Sequence, residues 1–267
     1  MCFVLLSWQP AADYPLILAA NRDEFLARPA LPLQDWADEP GVVGGRDLSS
    51  GGSWLALNRN SGRFVLVTNV RQGKPRPAAR SRGLLVRDLV TSDQSLVADR
   101  QAVVQTRSDY AGFNLLLGQL SGVGALHYFS NATDAGWQPL APGIHGLSNA
   151  ALDTPWPKVV QGRRHLQALL ARNAPDAPDV EDLFALLGDA TRAPDAALPD
   201  TGIGMERERV LSSAFIPVTA FGDQGYGTRC STVMQWRRDG HLLLQERSFI
   251  PGAAPETVRL ELILDRA

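Results

Sequence analysis

Two apolar runs at the start of the chain predict a β-hairpin. Residues 2–6 and residues 16–20 are apolar throughout, and the segment 9–15 between them is rich in turn-forming residues. Strand, short loop and strand is the pattern of a hairpin. Because the two strands of a hairpin are antiparallel, we expect the end of the second strand to return beside the start of the chain.

Further along, the pattern predicts strands near both ends of the chain and helices between them. Residues 156–173 show the clearest helical periodicity, and prolines mark the start of that segment. Other helices are predicted over 83–90, 94–106 and 180–187, and other strands over 53–58, 63–68, 113–117, 126–129, 228–236, 241–246 and 258–264. Residues 190–204 are expected to form a loop. This interleaving indicates one domain over residues 1–267.

Cys2 is the first candidate for chemistry, because it follows the initiator Met1 directly. Its side chain is small enough for an aminopeptidase to remove Met1, which would leave one residue with both a thiol and a free α-amine. An α-amine has a pKa of roughly 7.7–8.0, so it could accept the thiol proton at neutral pH without a catalytic His. The alternative is a small buried hydrophobic residue on the first strand.

The polar sequence Asn21-Arg22-Asp23-Glu24 follows the second apolar run. The predicted hairpin places Arg22 and Asp23 within reach of Cys2. A cation there would favour the thiolate, and a carboxylate could hold the protonated amine. Adjacent charged residues at the end of a strand are otherwise typical of a solvated turn.

With these residues the chain resembles the NRDE-motif family, which includes the transport and Golgi organisation protein 2 group. Further short motifs of that family occur in the same order: Gly44-Gly45-Arg46-Asp47, Gly51-Gly52-Ser53-Trp54, Val67-Thr68-Asn69-Val70-Arg71, Ser81-Arg82-Gly83, Gly112-Phe113-Asn114, Gly146-Leu147-Ser148-Asn149 and Gly227-Thr228-Arg229. The family in turn is similar to N-terminal-nucleophile (Ntn) hydrolases, and more distantly to cysteine-type bile-salt hydrolases and penicillin V acylases. The resemblance implies an α+β fold with four αββα layers, in which two antiparallel sheets lie between helical layers.

The resemblance also implies roles for individual residues. Cys2 matches the acylase nucleophile, and Arg22 and Asp23 correspond to the Arg and Asp near it, although the acylases space those two charges differently. Asn149 is similar to the oxyanion-hole Asn and Arg229 to a late active-site Arg, with Asn69 a second oxyanion candidate. For eukaryotic members of the family the proposals include haem trafficking and lipid or acyl-CoA metabolism.

Five cations lie between Arg71 and Arg82, and they include Lys74, Arg76 and Arg80. Arg suits bidentate binding of a carboxylate or phosphate, so Arg71 and Arg82 are candidate ligand-binding residues. Asn21 and Trp54 are added as candidate pocket residues. A solvated surface loop explains the same composition, and Trp54 fits a core position as well as a pocket wall.

Composition restricts the classes of function. The formal net charge is −2, the hydrophobic fraction 45% and the charged fraction 20%. These values are typical of a soluble globular enzyme and give no reason to expect nucleic acid or an anionic membrane as partner. No apolar run approaches the roughly 20 residues of a membrane span, and no secretory signal is present, so a cytoplasmic location is expected. Arg supplies 24 of the 26 basic residues, which indicates a GC-rich bacterial genome.

Two Cys and four His residues leave little room for other chemistry. A Cys2–Cys230 disulfide would consume the proposed nucleophile, and free thiols suit a reducing cytosol. The His residues are scattered without metal-ligand spacing, so neither a metal nor a cofactor is expected. A papain-like dyad of Cys230 with His145 or His241 is a further alternative, which nothing in the spacing supports.

The sequence therefore predicts an N-terminal cysteine hydrolase that acts on a linear amide or thioester through an acyl-enzyme at Cys2. The alternative is a binding or trafficking protein for haem, acyl-CoA or another hydrophobic anionic ligand. In both cases the partner is a small molecule that is anionic with an apolar body. The sequence leaves the oligomeric state open.

Overall fold

The fold consists of two antiparallel sheets with helices on their outer faces. The computed structural model describes residues 2–9, 11–73, 78–122, 124–221 and 224–264, with the backbone alone at Cys2 and Ala220. Its strands are β1 (Cys2–Trp8), β2 (Leu16–Phe25), β3 (Ala30–Asp35), β4 (Val42–Asp47), β5 (Leu55–Asn58), β6 (Arg63–Asn69), β7 (Phe113–Gln119), β8 (Ala125–Ser130), β9 (Gln138–Pro139), β10 (Gly143–Leu147), β11 (Thr219–Phe221), β12 (Gln224–Trp236), β13 (His241–Ser248) and β14 (Glu256–Ile263). Its α-helices are α1 (Arg82–Val90), α2 (Leu96–Thr106), α3 (Pro157–Asn173), α4 (Val180–Leu187) and α5 (Met205–Val210).

The two sheets differ in how their strands are connected. The first sheet has the order β10-β1-β2-β12-β13-β14, with β11 paired to β12, so it joins both ends of the chain. The second sheet runs β3-β4-β5-β6-β7-β8-β9 in sequence order. The predicted hairpin of β1 and β2 is confirmed, with Cys2 opposite Arg22 and Trp8 opposite Leu16.

Alternation along the strands divides most of the apolar residues among three large cores, and a small fourth cluster contains Leu211, Ile216 and Tyr226. In β1, Val4 and Leu6 pack between the two sheets, whereas Phe3 and Leu5 pack against α3 and α4. A third core lies between the second sheet and helices α1 and α2. The layers are therefore helix, sheet, sheet and helix, and the predicted αββα fold is confirmed.

Helix boundaries follow their capping residues. The side chain of Ser81 accepts a hydrogen bond from the Gly83 amide at the start of α1. Asp179 caps α4 in the same way, and Pro157 begins α3. These are favoured residues for the first turn of a helix, so the predicted helices lie close to the observed ones. Of the helices in the described ranges, none combines the length and apolar character needed to cross a bilayer.

Two parts of the sequence interpretation were wrong. The Asn21–Glu24 motif is not a turn at a strand end, because β2 continues through it and pairs with β12. Gly44 and Gly45, for which no strand was predicted, lie inside β4. A Cβ on Gly45 would lie 2.2 Å from the Trp54 ring, so this strand position has no room for a side chain.

Candidate functional site

The backbone register places Arg22 between the two cysteines of the chain. Cys2 on β1 and Cys230 on β12 are both Cα partners of Arg22 on β2. Directly paired Cα atoms of antiparallel strands are about 4.5–5.5 Å apart, so two such steps exceed the roughly 7 Å limit for a disulfide. The register therefore excludes a disulfide between Cys2 and Cys230.

Arg22 is a buried cation held from the second sheet. Its Nη2 atom lies 3.3 Å from Oδ2 of Asp47, and its guanidinium lies 4.2 Å from the centre of the Trp54 ring. Arg28 binds the same carboxylate through Nε at 2.6 Å and Nη2 at 3.2 Å. Two guanidinium groups thus share the Asp47 carboxylate, and Glu24 lies 3.9 Å from Nε of Arg28 as a second carboxylate.

The environment keeps Asp47 ionised. Burial by itself raises the pKa of Asp47, but hydrogen bonds and charge from Arg28, with help from the Ser50 amide and Arg22, outweigh it. The pKa of Asp47 therefore lies below its ordinary value.

A small polar cavity of about 110 Å³ lies at this end of the first sheet. Its walls include Arg22, Asp23, Trp54, Asn69 and Arg82, all of which the sequence selected. The N-terminus of α1 forms another part of the wall through Ser81 and Gly83. Arg82 also donates from Nη1 to the Gly112 carbonyl at 2.9 Å.

Asn149 joins this end of the sheet through its hydrogen bonds. Leu147 on β10 pairs with Val4 on β1. Asn149 follows Leu147 by two residues and Cys2 precedes Val4 by two, so in antiparallel strands both lie at the same end of the sheet. The Nδ2 atom of Asn149 donates to the Asn69 carbonyl at 2.9 Å, and its own carbonyl accepts from the Arg71 amide at 2.7 Å. The two candidate oxyanion residues are therefore directly connected.

Arg71 is buried and has two polar atoms without a hydrogen-bond partner within the described residues. Its Nη1 lies 2.5 Å from Oε2 of Glu208, and its guanidinium lies 4.7 Å from the centre of the Trp156 ring. The Nε and Nη2 atoms of Arg71 make no hydrogen bond within the described residues. Burial lowers the pKa of Arg71, and Glu208 opposes this effect.

Asp23 lies on the opposite face of β2 from Arg22, because successive residues of a strand alternate in direction. Its Oδ1 accepts a hydrogen bond from Thr228 Oγ1 at 2.7 Å. Burial raises the pKa of Asp23, and the ammonium of Lys158 is the strongest opposing influence. Asn21, on the same face, donates from Nδ2 to the carbonyls of Leu187 and Ala214, both at 2.9 Å, so its side chain fastens the helical layer to the sheet.

Arg229 faces a neighbouring cavity. Its Nη1 donates to the carbonyls of Phe25 and Leu26, both at 3.1 Å, and it lines a cavity of about 120 Å³ together with Arg22, Trp54 and Glu246. Burial and the nearby charge of Arg22 lower the pKa of Arg229. Arg22 and Trp54 therefore separate the two cavities, and Arg229 is not in the wall that contains Asp23 and Asn69.

The structure thus brings most of the predicted residues to one end of the molecule. Lys74 and Arg76 of the basic loop, and the side chain of Cys2, lie outside the described residues. The dyad alternative was wrong, because His145 pairs with Leu6 on the far side of β1. Cys230 pairs with Ser248 at the end of β13, whereas His241 is the first residue of that strand. His241 therefore lies seven residues along the strand from the position beside Cys230.

Four buried ionisable residues in this region were not selected from the sequence, and Glu208, the partner of Arg71, is the first of them. Asp47 stood in a quoted motif but received no role, although it binds both Arg22 and Arg28. Lys158 is one of two lysines in an arginine-rich chain, and this rarity was the only feature of the sequence that could have identified it. Glu246 is buried, and burial raises its pKa against hydrogen bonds from Leu33, Cys230 and Thr232.

The described residues contain no group of three His, Cys, Asp or Glu side chains that could hold a metal ion. The Arg22 cavity instead combines the guanidinium groups of Arg22, Arg28 and Arg82 with carboxylates and with the hydrogen-bond donors Asn69 and Ser81. That arrangement can hold an anion, or the oxygen of a carbonyl group as it gains negative charge.

A family model and several relatives in other organisms all assign similarity to one family. A family model described as "Transport and Golgi organisation 2" matches residues 1–251. The Bos taurus Transport and Golgi organization protein 2 homolog is 36% identical over 269 residues, which cover 96% of this chain and 95% of that protein. The Homo sapiens homolog is 33% identical over 262 residues and 94% of each chain. Drosophila melanogaster Transport and Golgi organization protein 2 is 31% identical over 199 residues, covering 70% and 69%.

Among solved structures, the Caenorhabditis elegans ortholog of N-acylethanolamine-hydrolyzing acid amidase is similar to this chain. The match has a TM-score of 0.47 and 12% sequence identity, and it covers 87% of this chain and 92% of the amidase.

Proposed function

We propose that this chain, which belongs to the Transport and Golgi organisation 2 family, is an N-terminal cysteine hydrolase that cleaves a linear amide or thioester. The observation that carries the proposal is the pairing of Cys2 with a buried arginine. Arg22 lies opposite Cys2 in the sheet and also lines the polar cavity. A cation close to a thiol favours the thiolate.

The proposed reaction begins once Met1 has been removed. The α-amine of Cys2 takes the thiol proton, and the sulfur attacks the carbonyl carbon of the substrate. The tetrahedral intermediate collapses as the leaving amine or thiol receives that proton, which leaves a thioester on Cys2. Water then attacks the thioester, with the amine again accepting a proton. As this second intermediate collapses, the carboxylic acid leaves and the Cys2 sulfur takes the proton from the amine, which restores the thiol.

The proposed oxyanion donors are the side-chain amides of Asn149 and Asn69. An amide nitrogen carries two protons, and Asn149 uses one on the Asn69 carbonyl. The second proton and the Asn69 amide are the proposed donors to the oxyanion. Donors of this kind, held in place before reaction, are commonly worth about 3–4 kcal/mol each in the transition state.

Mass spectrometry tests this function directly. Wild-type protein, Cys2→Ala and Cys2→Ser are incubated with a panel of linear amides and thioesters, and both product and protein mass are followed. We expect product and a transient acyl adduct on Cys2 in the wild type, and neither product nor adduct in Cys2→Ala. Cys230→Ala is the matched control, since its buried thiol should be dispensable. Undiminished hydrolysis in Cys2→Ala would rule out the mechanism.

Thiol labelling gives an independent test of the nucleophile. An ordinary Cys has a pKa of about 8.5 and is mostly unreactive at pH 7. We expect iodoacetamide to modify Cys2 well before Cys230 in the folded protein, with the difference reduced in Arg22→Ala. Equal, slow labelling of both thiols would remove the reason for proposing covalent catalysis.

The alternative function, a carrier for haem or acyl-CoA, is favoured by a different region. Two adjoining cavities of about 560 Å³ each share Tyr14 and Pro175 at the other end of the first sheet. One has apolar walls that include Ile17 and Leu170, and the other contains Arg237 and Arg238. Their size is within the roughly 300–1,000 Å³ of small-molecule sites, whereas the Arg22 cavity is smaller.

Binding measurements separate the two functions. Haem and long-chain acyl-CoA are titrated into wild type, Cys2→Ala, Arg22→Ala and Tyr14→Ala. Binding that survives Cys2→Ala but weakens in Tyr14→Ala, with no hydrolysis in any variant, would favour the carrier. A bacterial source, a cytoplasmic location and a single domain over residues 1–267 stay predictions.

A further inference from the structure

The main strand orders of the two sheets end in four edge strands, β10 and β14 in the first sheet and β3 and β9 in the second. Three of these edges are protected. The strand β3 contains Pro32 and a register irregularity, and β9 has only two residues, one of which is Pro139. A loop covers part of the edge of β10, where the Gly146 amide donates to Oδ1 of Asp153 and the Gly146 carbonyl accepts from the Asp153 amide, both at 2.8 Å. Proline, a bulge, short length and a covering loop are the usual means of protecting an edge strand.

The fourth edge strand, β14, has none of these protections in the part of the chain that the structure describes. Its eight residues, Glu256–Ile263, contain neither Pro nor Gly, and all eight pair with β13 without a register shift. The pairing with β13 uses one side of the strand. Backbone N–H and C=O groups point to both sides of a strand, so β14 presents an unpaired row of them on its outer side. A long, regular edge of this kind is suited to pairing with another chain.

The side chains of β14 alternate between two faces. Val258 and Leu260 pack, partly buried, against the core between the two sheets. On the opposite face, Arg259 and Glu261 form an exposed ion pair, in which Nη2 of Arg259 lies 2.6 Å from Oε1 of Glu261. Ile263 lies on the same face and is 68% exposed. The exposed face of β14 therefore has a cation and an anion two positions apart, followed by an uncovered apolar residue.

The order of these side chains makes β14 complementary to itself. If a second copy pairs antiparallel about a two-fold axis at Leu260, each Arg259 lies opposite Glu261 of the other copy. Two ion pairs then cross the interface, and Val258 meets Leu262 on the core face. Moving the axis by one residue in either direction would place two Arg259 or two Glu261 side chains opposite each other, and directly opposed like charges destabilise a sheet. The charges therefore select one register.

We propose that this chain forms a homodimer through β14, in which the first sheets of two copies join into one continuous antiparallel sheet. A second copy is the partner because the charges of β14 match those of an identical strand in one register. The interface adjoins the Arg229 cavity, since Glu256 at the start of β14 also lines that cavity. Association does not depend on catalysis, so an inactive protein would defeat the hydrolase proposal without deciding this one.

Exchange of the two charges tests the interface by sedimentation equilibrium of the full-length protein. Wild type should dimerise. Arg259→Glu and Glu261→Arg each replace both attractive pairs by repulsive ones and should raise the dissociation constant of the dimer about tenfold or more. The double variant Arg259→Glu/Glu261→Arg restores opposite charges and should return this constant close to the wild-type value. Arg172→Glu is the matched control, because it removes an exposed pair with Asp182 on the helical layer and should leave the constant unchanged.

Disulfide formation between two cysteine variants tests the register. In the proposed dimer, positions 257 and 263 of different copies lie opposite each other, with Cα atoms about 4.5–5.5 Å apart, which a disulfide can span. Thr257 and Ile263 are exposed, so Thr257→Cys and Ile263→Cys leave the core intact. In a Cys2→Ser background, oxidation of an equimolar mixture should give a covalent dimer with one copy of each variant. Either variant alone should give none, because its two introduced thiols lie about 20 Å apart.

Several results would overturn the proposal. One is a wild-type protein that stays monomeric at every concentration measured. Another is a dimer whose dissociation constant is the same in wild type and Arg259→Glu, since its interface would then lie elsewhere. A double variant that dimerises no better than the single variants, or a mixture without the mixed covalent dimer, would show that the strands do not pair in this register.

Discussion

Arg22 and Asp23 are consecutive residues of β2, and they lie on opposite faces of the first sheet. On the inner face, Arg22 meets Asp47 and Trp54 from the second sheet. On the helical face, Asp23 accepts a hydrogen bond from Thr228, and the charge of Lys158 is the strongest influence that opposes the effect of burial on its pKa. The inner face supplies a carboxylate that two arginines share, whereas the helical face supplies one carboxylate for which burial is the dominant effect. One pair of adjacent residues therefore experiences two different electrostatic environments.

A strand can therefore bring two different chemical environments to one end of a fold. A helix separates neighbouring residues by about 100° around its axis, but a strand sends them to opposite sides. Each charge can then be balanced by a separate layer without the two charges neutralising each other.

The largest predicted effect comes from removing the shared carboxylate of the inner face. Asp47→Ala leaves the buried Arg22 cation without its anion, and breaking a buried pair in this way typically costs about 3–5 kcal/mol. We expect a loss of that size in the free energy of unfolding by urea. Glu261→Ala is the control, because both side chains of its pair with Arg259 are exposed and such pairs contribute about 0–1 kcal/mol. Similar losses in both variants would contradict the account of the inner face.

A smaller effect is expected from crowding the ring that covers Arg22. Gly45→Ala would place a methyl group 2.2 Å from Trp54, and overpacking of this kind costs about 1–3 kcal/mol. The displaced ring should also weaken the effect of Arg22 on thiol labelling. Gly188→Ala serves as control, since its nearest contact would be 3.4 Å. Wild-type stability in Gly45→Ala would show that Trp54 is not held in this position.

The smallest predicted effect concerns how stability depends on pH, which should have opposite signs for Asp23 and Asp47. The ordinary carboxyl pKa is 3.8, and it is raised for Asp23 and lowered for Asp47. The contribution of Asp23 to stability is therefore fullest below pH 3.8 and is lost as pH rises through its raised pKa. That of Asp47 is present above pH 3.8 and is lost as pH falls through its lowered pKa.

Urea midpoints measured across pH test these signs. Asp23→Asn should flatten the loss of stability on the neutral side, and Asp47→Asn should flatten the loss on the acid side. Each variant is compared with its own plateau, so a general destabilisation does not affect the result. Changes of the same sign in both variants would erase the distinction between the faces.

Local patterns predicted the hairpin and most helices because the responsible residues are close together in sequence. Residues 180–187 match α4 in full, since Asp179 and Gly188 mark both of its ends. The strand β4 was missed because Gly44 and Gly45 are poor strand formers. Their place in a strand depends on Trp54 and Leu55, which approach too closely for any side chain.

The candidate site was predictable only in part, because many of its contacts join residues that are far apart in sequence. The motifs identified Arg22, Asp23, Asn69 and Arg82, which the cavity contains. The sequence did not reveal that Asp47 is shared by two arginines, or that Arg71 pairs with Glu208 more than 130 residues away. Such contacts depend on how the layers pack, and no local spacing encodes them. Arg229 was grouped with the site, but the bulge between Thr228 and Cys230 gives it a different cavity.

The strand between the two cysteines also has a consequence for oxidative chemistry. The chain contains no cysteine other than Cys2 and Cys230, and β2 keeps these two apart. If a peroxide converts the Cys2 thiolate to a sulfenic acid, no thiol within the same chain can resolve it as a disulfide. Repair then requires a small-molecule thiol or a second protein, and without one the oxidation continues to the irreversible sulfinic state.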